Sequence, residues 1–189
     1  MNMIELAGTG WIINNSYGCL NGRVKTAYKD IQELYSQLIE QSFIPGPIRN
    51  FNRFDENSKL TLCAAALALA DANFPAMPED FGIIGNDPEG SFKSNMLYYK
   101  DFYDNGRKFG RGNLFIYTLA TSPLAETAIF FGLKGPLLQV MFNERKTSNL
   151  LKMGRDIIGR GEANAMLIVD SDQTGITCFL LAKSEIILR

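Results

Sequence analysis

The sequence predicts an α/β domain built on a five-stranded mixed sheet with helices on both faces. Three observations carry that prediction. Five short apolar runs suit strands, at residues 3–13, 81–86, 137–142, 165–169 and 176–182. Stretches with helical spacing separate the first four, so crossover helices join them, as parallel neighbours require. The fifth run follows the fourth after the turn DSDQTG, residues 170–175, and so returns antiparallel as a hairpin. The chain has 189 residues, the size of one ordinary domain, and no repeat, low-complexity tract or long linker divides it. A single domain over residues 1–189 is therefore expected.

The first strand, MIELAGTGWII, carries Gly8 and Gly10, which allow another backbone to approach closely. No helix opening with a third glycine follows, so a dinucleotide fingerprint is set aside. Residues 14–21 are turn-rich and predict a loop. Residues 28–41 place Ile31, Leu34, Leu38 and Ile39 at helical spacing, and SFIPGP then breaks the chain. Residues 49–71, RNFNRFDENSKLTLCAAALALAD, predict a helix capped by Asn57 or Ser58, with Leu60, Cys63, Ala64, Leu67 and Ala68 in a stripe. Its alanines imply close packing against another backbone layer.

Strand two, FGIIGN, leads through the turn DPEGS to a helix over residues 92–105 that is rich in aromatics. Aromatics interleaved with lysines can serve single-stranded nucleic acid, but acids are too frequent here, and a packing surface is predicted. The basic loop NGRKFGRG follows. Residues 123–132 predict a helix with proline in its first turn and glycine at its end. Gly135-Pro136 then opens a strand, turn and helix, with Asn143 as the expected N-cap and Leu150, Met153, Ile157 and Ile158 on one face. Gly159 and Gly161 end the helix, and residues 165–169 are apolar on both faces, as a central strand should be.

Composition narrows the chemistry. A net charge of −1 gives no electrostatic case for nucleic acid or an anionic membrane. No apolar run approaches the roughly 20 residues that span a bilayer, and the first residues lack the basic segment of a signal peptide. Three cysteines, Cys19, Cys63 and Cys178, are odd in number and widely spaced, which argues against a disulfide framework. A cytoplasmic protein is the expectation. Asp170 and Asp172 could supply half a metal site, but two carboxylates in a hairpin turn read as turn formers, so neither metal nor cofactor is expected. Histidine is absent, which removes the usual general base and every Ser-His or Cys-His arrangement.

Residues 135–169 resemble the nucleophile segment of β-ketoacyl synthases, condensing enzymes of the thiolase fold. In that family a Gly-Pro opens a strand, a cysteine sits on the sharp turn after it, and a helix ends in glycine before an apolar strand. Here the cysteine's position is Glu144, and a carboxylate cannot carry an acyl group as a thioester. The basic-aromatic-acidic loop feeding the alanine-rich helix at 49–71 resembles the same family, as does the glycine-bearing first strand. The resemblance implies strand order 3-2-1-4-5. It also implies that the histidines and second half-domain with which condensing enzymes activate the donor are not part of this sequence.

The resemblance implies a non-catalytic ketosynthase-like subunit, similar to a chain-length factor, in fatty-acid or polyketide-type biosynthesis. Its partners would be a second copy, a full-length ketosynthase or an acyl carrier protein. Arg107, Lys108 and Arg111 in the basic loop would meet an acidic carrier. Leu137, Leu138, Gln139, Val140, Met141 and Phe142 would form the sheet's edge strand, pairing with its mate across a two-fold axis. Two alternatives stand beside this. Some ketosynthase-like domains with glutamine at the cysteine's position decarboxylate malonyl thioesters without it, although the charge of Glu144 would repel a malonyl carboxylate. A homodimeric scaffold of unrelated role is the other. Glu144 also has a plain structural account, since an acid in the first helical turn favours the helix dipole by about 0.3–1 kcal/mol.

Overall fold

A computed structural model describes residues 3–21, 25–74, 80–142, 144 and 146–187. At the start of the chain, Asn14 and Asn15 both take left-handed backbone, with φ of 48° and 56°. Two such residues form the turn whose twist matches a hairpin. It folds β2 (Ser16–Cys19) antiparallel onto β1 (Ile4–Ile13), with Ile13 opposite Ser16. β3 (Lys25–Ala27) pairs in turn with β2. The loop predicted over residues 14–21 is therefore largely a hairpin.

Asp30 caps α1 (Ile31–Glu40), its carboxylate accepting from the N–H groups of Gln32 and Glu33, both at 3.0 Å. Asp55 caps α2 (Glu56–Asp71) by accepting from the Ser58 N–H at 2.9 Å, so the cap lies ahead of the predicted Asn57 or Ser58. α2 is buried nearly all round rather than along one stripe. On one side it lies directly on β1. A Cβ on Gly10 would come within 2.4 Å of the Ala64 carbonyl oxygen, and one on Gly8 within 2.4 Å of that of Ala68. The small residues at 8, 10, 64 and 68 thus set the distance between helix and strand.

After β4 (Phe81–Asn86) come α3 (Phe92–Asp104), α4 (Gly112–Phe115) and α5 (Ser122–Phe131). α5 has proline in its first turn and ends at Gly132, whose φ of 68° is left-handed. The chain continues through β5 (Leu137–Val140), α6 (Lys146–Gly159), β6 (Ala165–Asp172), β7 (Gly175–Lys183) and α7 (Ser184–Ile187). The Asn143 cap predicted for α6 lies outside the described residues.

Among the described residues the sheet has seven strands in the order β3-β2-β1-β7-β6-β4-β5, replacing the expected five in the order 3-2-1-4-5. The two hairpins account for the difference. A strand has two edges, and β2 occupies one edge of β1. The tight turn after β6 sets β7 beside β6, and β7 offers its other edge to β1. β4 and β6 pair directly and in parallel, which leaves no place for β1 between them. Among the described residues β5 lies at the edge as predicted, paired in parallel with β4, but its strand ends at Val140 rather than at 142.

Helices cover both faces, and the period of two along β6 divides the core. Leu167 and Val169 join Leu34, Leu38, Leu62, Leu67 and Leu124 under α1, α2 and α5. Met166 and Ile168 join Ile84 and Leu181 under Leu150, Ile157 and Ile158 of α6. Met153, expected on the same helical face, is partly buried against that second cluster. The opposite face of α6 exposes Ser148, Lys152, Arg155 and Asp156. Among the described residues no single helix is long and apolar enough to cross a membrane.

Candidate functional site

The carboxyl ends of β4, β5 and β6 lie side by side, the place where open α/β sheets hold their ligands. Asn86, Val140 and Asp170 are aligned there by the parallel register. Asn86 is 1% exposed and is bonded through both its side-chain oxygen and its amide nitrogen. Its side-chain oxygen accepts from the Phe142 N–H at 2.8 Å, and its amide donates to one oxygen of Asp170 at 3.2 Å. The other Asp170 oxygen accepts from the Thr147 hydroxyl. One buried amide and one carboxylate thus tie together the ends of two strands, the exit of β5 and the second residue of α6.

Glu144 lies on this tied turn and is exposed. Its carbonyl oxygen accepts from the Asn149 side chain at 3.2 Å. α6 begins at Lys146, so Glu144 precedes the first helical turn in which its acid was expected. The three thiols are all buried, far from the character of a nucleophile. Burial, and next the charge of Asp71, push Cys19 up to about 11, and burial pushes Cys63 up to about 12.

A cleft of about 480 Å³ opens beside this end of the sheet. The Asn14–Asn15 turn, the start of α2, the loop after β4, α3 and the β6–β7 turn line it. Among the described residues its charges are Asp55, Glu56, Asp87, Glu89 and Asp172, with Lys93. Several of these acids are engaged structurally. Asp55 accepts from the Ser94 hydroxyl at 2.7 Å, and Asp87 accepts from the Asn57 amide at 2.6 Å. Asp172 closes the β6–β7 turn by accepting from the hydroxyl and N–H of Thr174, bonds that hold its carboxyl below the usual range. Asp170 and Asp172 therefore serve separate local networks. The described residues contain no group of three or more potential ligands placed to hold a metal.

The basic loop is carried by the α3–α4 connection. Arg107 has φ of 61° and sets its guanidinium 4.9 Å from the Tyr103 ring centroid. Arg111 pairs with Asp101, while Lys108 is exposed. α3 buries only Ser94, leaving Phe92, Tyr99 and Tyr103 more than half exposed, with Phe109 at 81%. The described residues thus leave much of the predicted packing surface uncovered, although Tyr98 and Phe102 are half-buried. On the edge strand, Leu138 and Met141 are exposed, whereas Leu137 packs on the α2 side and Val140 and Phe142 on the α6 side. Asn86 and Thr147 were not singled out from the sequence. The one signal was a polar residue ending an otherwise apolar strand.

A mixed sheet covered on both faces, with a strand–turn–helix unit at one edge, is here a ketosynthase-type fold, as solved structures make plain. The chain is similar to the ishigamide ketosynthase/chain length factor, with a TM-score of 0.71 and 16% identity over 96% of this chain and 62% of that one. It is similar to a β-ketoacyl synthase from Burkholderia phymatum STM815, with a TM-score of 0.67 and 14% identity over 98% of this chain and 60% of that one. A third similar structure is a type II PKS acyl-carrier protein in complex with its ketosynthase bound to the hexaketide (TM-score 0.69, 14% identity, 99% of this chain and 65% of that one). The chain thus spans about three fifths of the length of these proteins. No protein-family profile matches the sequence, and no curated protein matches it. The fold is that of ketosynthases and chain length factors.

Proposed function

We propose that this chain is a non-catalytic ketosynthase-like subunit that works by association. The observation that carries the reading is Glu144. It stands exposed on the turn after β5, at the position where the resemblance puts the nucleophilic cysteine. An exposed carboxylate forms no thioester, and the described thiols are buried with raised pKa values. The acidic cleft supports the same reading against decarboxylation, because five carboxylates would repel a malonyl anion.

Association is supported by what the fold leaves open. Among the described residues β5 pairs on one side, with β4, and an open strand edge invites another strand. A second copy or a ketosynthase would extend the sheet there. The comparison structures include a ketosynthase in complex with its chain length factor from Xenorhabdus doucetiae, with a TM-score of 0.63 and 10% identity over 97% of this chain and 79% of that one. An acyl carrier protein is the further partner proposed, meeting Arg107, Lys108 and Arg111 on the α3–α4 connection. The role belongs to polyketide- or fatty-acid-type synthesis in the cytoplasm.

Chemical silence is directly testable. After incubation with acyl and malonyl thioesters, intact mass spectrometry should find no covalent adduct and no loss of carbon dioxide from the substrate. An adduct forming at catalytic rates, or rapid malonyl decarboxylation, would return the chain to the enzymes.

A further inference from the structure

The cleft beside the sheet holds more than acids, because buried hydroxyls without partners open into it. Ser171 lies on β6 two residues beyond Val169, so alternation along the strand turns it to the α2 side, where Leu167 and Val169 pack. It is 8% exposed and lines the cleft. Among the described residues its hydroxyl has no hydrogen-bond partner, a costly state for a buried donor. A recess of about 10 Å³, room for one small polar group, adjoins the cleft and shares Asn57, Asp87 and Ser171 with it. Thr61, 1% exposed, lines that recess, and its hydroxyl is likewise unpaired among the described residues.

The surrounding charge selects the sign of a ligand. The Ser58 N–H and Ser94 hydroxyl hold Asp55, and the Asn57 amide and Glu89 N–H hold Asp87. These donors are neutral and leave both charges in place. Glu56 is exposed at the start of α2, and Glu89 lies 3.7 Å from the Lys93 amine. The carboxylates come from three segments: the start of α2, the loop after β4 and the β6–β7 turn. The same walls carry apolar surface from Ile12, Leu60, Leu97 and Ile176.

We propose that this cleft binds a linear polyamine, a small aliphatic chain carrying several ammonium groups. Carboxylates on separate segments match charges spaced along a ligand, whereas a metal ion needs its oxygens converged on one point. A carboxylate oxygen that already accepts one bond keeps a second lone pair for an ammonium N–H. The apolar residues cover the methylene spacers between the charges. The Ser171 hydroxyl, at the mouth of the recess, accepts from one ammonium group. A lysine side chain from another protein brings a single charge and leaves the remaining carboxylates unmatched. The site draws on neither position 144 nor the β5 edge, so it goes beyond the association proposed above.

Isothermal titration calorimetry of the full chain with spermidine, at about 0.15 M salt to screen loose surface charge, tests this directly. Saturable binding at a single site per chain is expected. Ser171→Ala removes a hydroxyl that has no partner among the described residues, so the fold is kept. Its affinity should fall about tenfold, the worth of one hydrogen bond to a charged group. Glu56→Gln, at an exposed position, should weaken binding severalfold. Magnesium chloride in roughly tenfold excess should leave most of the spermidine bound, because screening alone does not fill a shaped site. No saturable binding, affinity unchanged in both variants, or complete displacement by magnesium would overturn the proposal. If circular dichroism shows that Ser171→Ala fails to fold, Glu56→Gln decides. Sedimentation of the same samples reports association separately, so the failure of either reading is distinguishable from that of the other.

Discussion

At position 144 the physical chemistry is decided by one side chain and its neighbours. A carboxylate on the β5–α6 turn offers no sulfur, and the cysteines elsewhere are held neutral by burial. Their raised values have a consequence for stability. A thiol whose folded pKa lies above its unfolded value contributes stability that is complete below about 8.5 and lost as pH rises through the folded value. The window therefore runs from about 8.5 to about 11 for Cys19 and to about 12 for Cys63. Tyr28 and Tyr117, raised chiefly by burial, add to the loss at higher pH. Denaturant midpoints for the protein and for Cys63→Ala should accordingly converge as pH rises from 8 to 10.5. A gap that stays constant over that range would show that Cys63 titrates normally.

The elements owe their placement to close approach and to register. Gly10 is the sharpest case, since α2 occupies the space of its missing side chain. Gly10→Ala should cost about 1–3 kcal/mol by forcing helix and strand apart, read as a lowered denaturant midpoint. Gly46→Ala, with nothing within 4 Å of the new methyl, should be neutral or slightly stabilising. Equal effects at the two positions would contradict the packing described. This contact was legible in the sequence, from glycines in one element and alanines in the other. The β1–β2 hairpin was less so. Its Asn-Asn signal was present, but SYGC is short and largely small or polar, and read as loop. The Asn86–Asp170–Thr147 clamp could not be read at all. It depends on β4 lying beside β6 in register, a pairing made between residues 84 positions apart.

For the whole molecule, strand order was the part least visible beforehand. Periodicity identifies strands but does not say which pair, and the order 3-2-1-4-5 came from resemblance rather than from hairpin geometry. The position of β5 at the edge survived that correction, because β4 is bordered by β6 on its other side. The association proposed for this chain rests on that edge. The Ile83 N–H donates to the Pro136 carbonyl at 2.8 Å, and regular alternation then turns the N–H groups of Leu138 and Val140 toward β4. Those of Leu137 and Gln139 face outward. Proline at 139 would therefore delete an outward donor while sparing the pairing with β4. Sedimentation velocity at micromolar concentration, alone and mixed with a ketosynthase, is the most direct measurement. The account predicts a dimer with itself or with the ketosynthase, converted to monomer by Gln139→Pro and by Leu138→Lys. A monomer in both settings, or a dimer untouched by both substitutions, would contradict it.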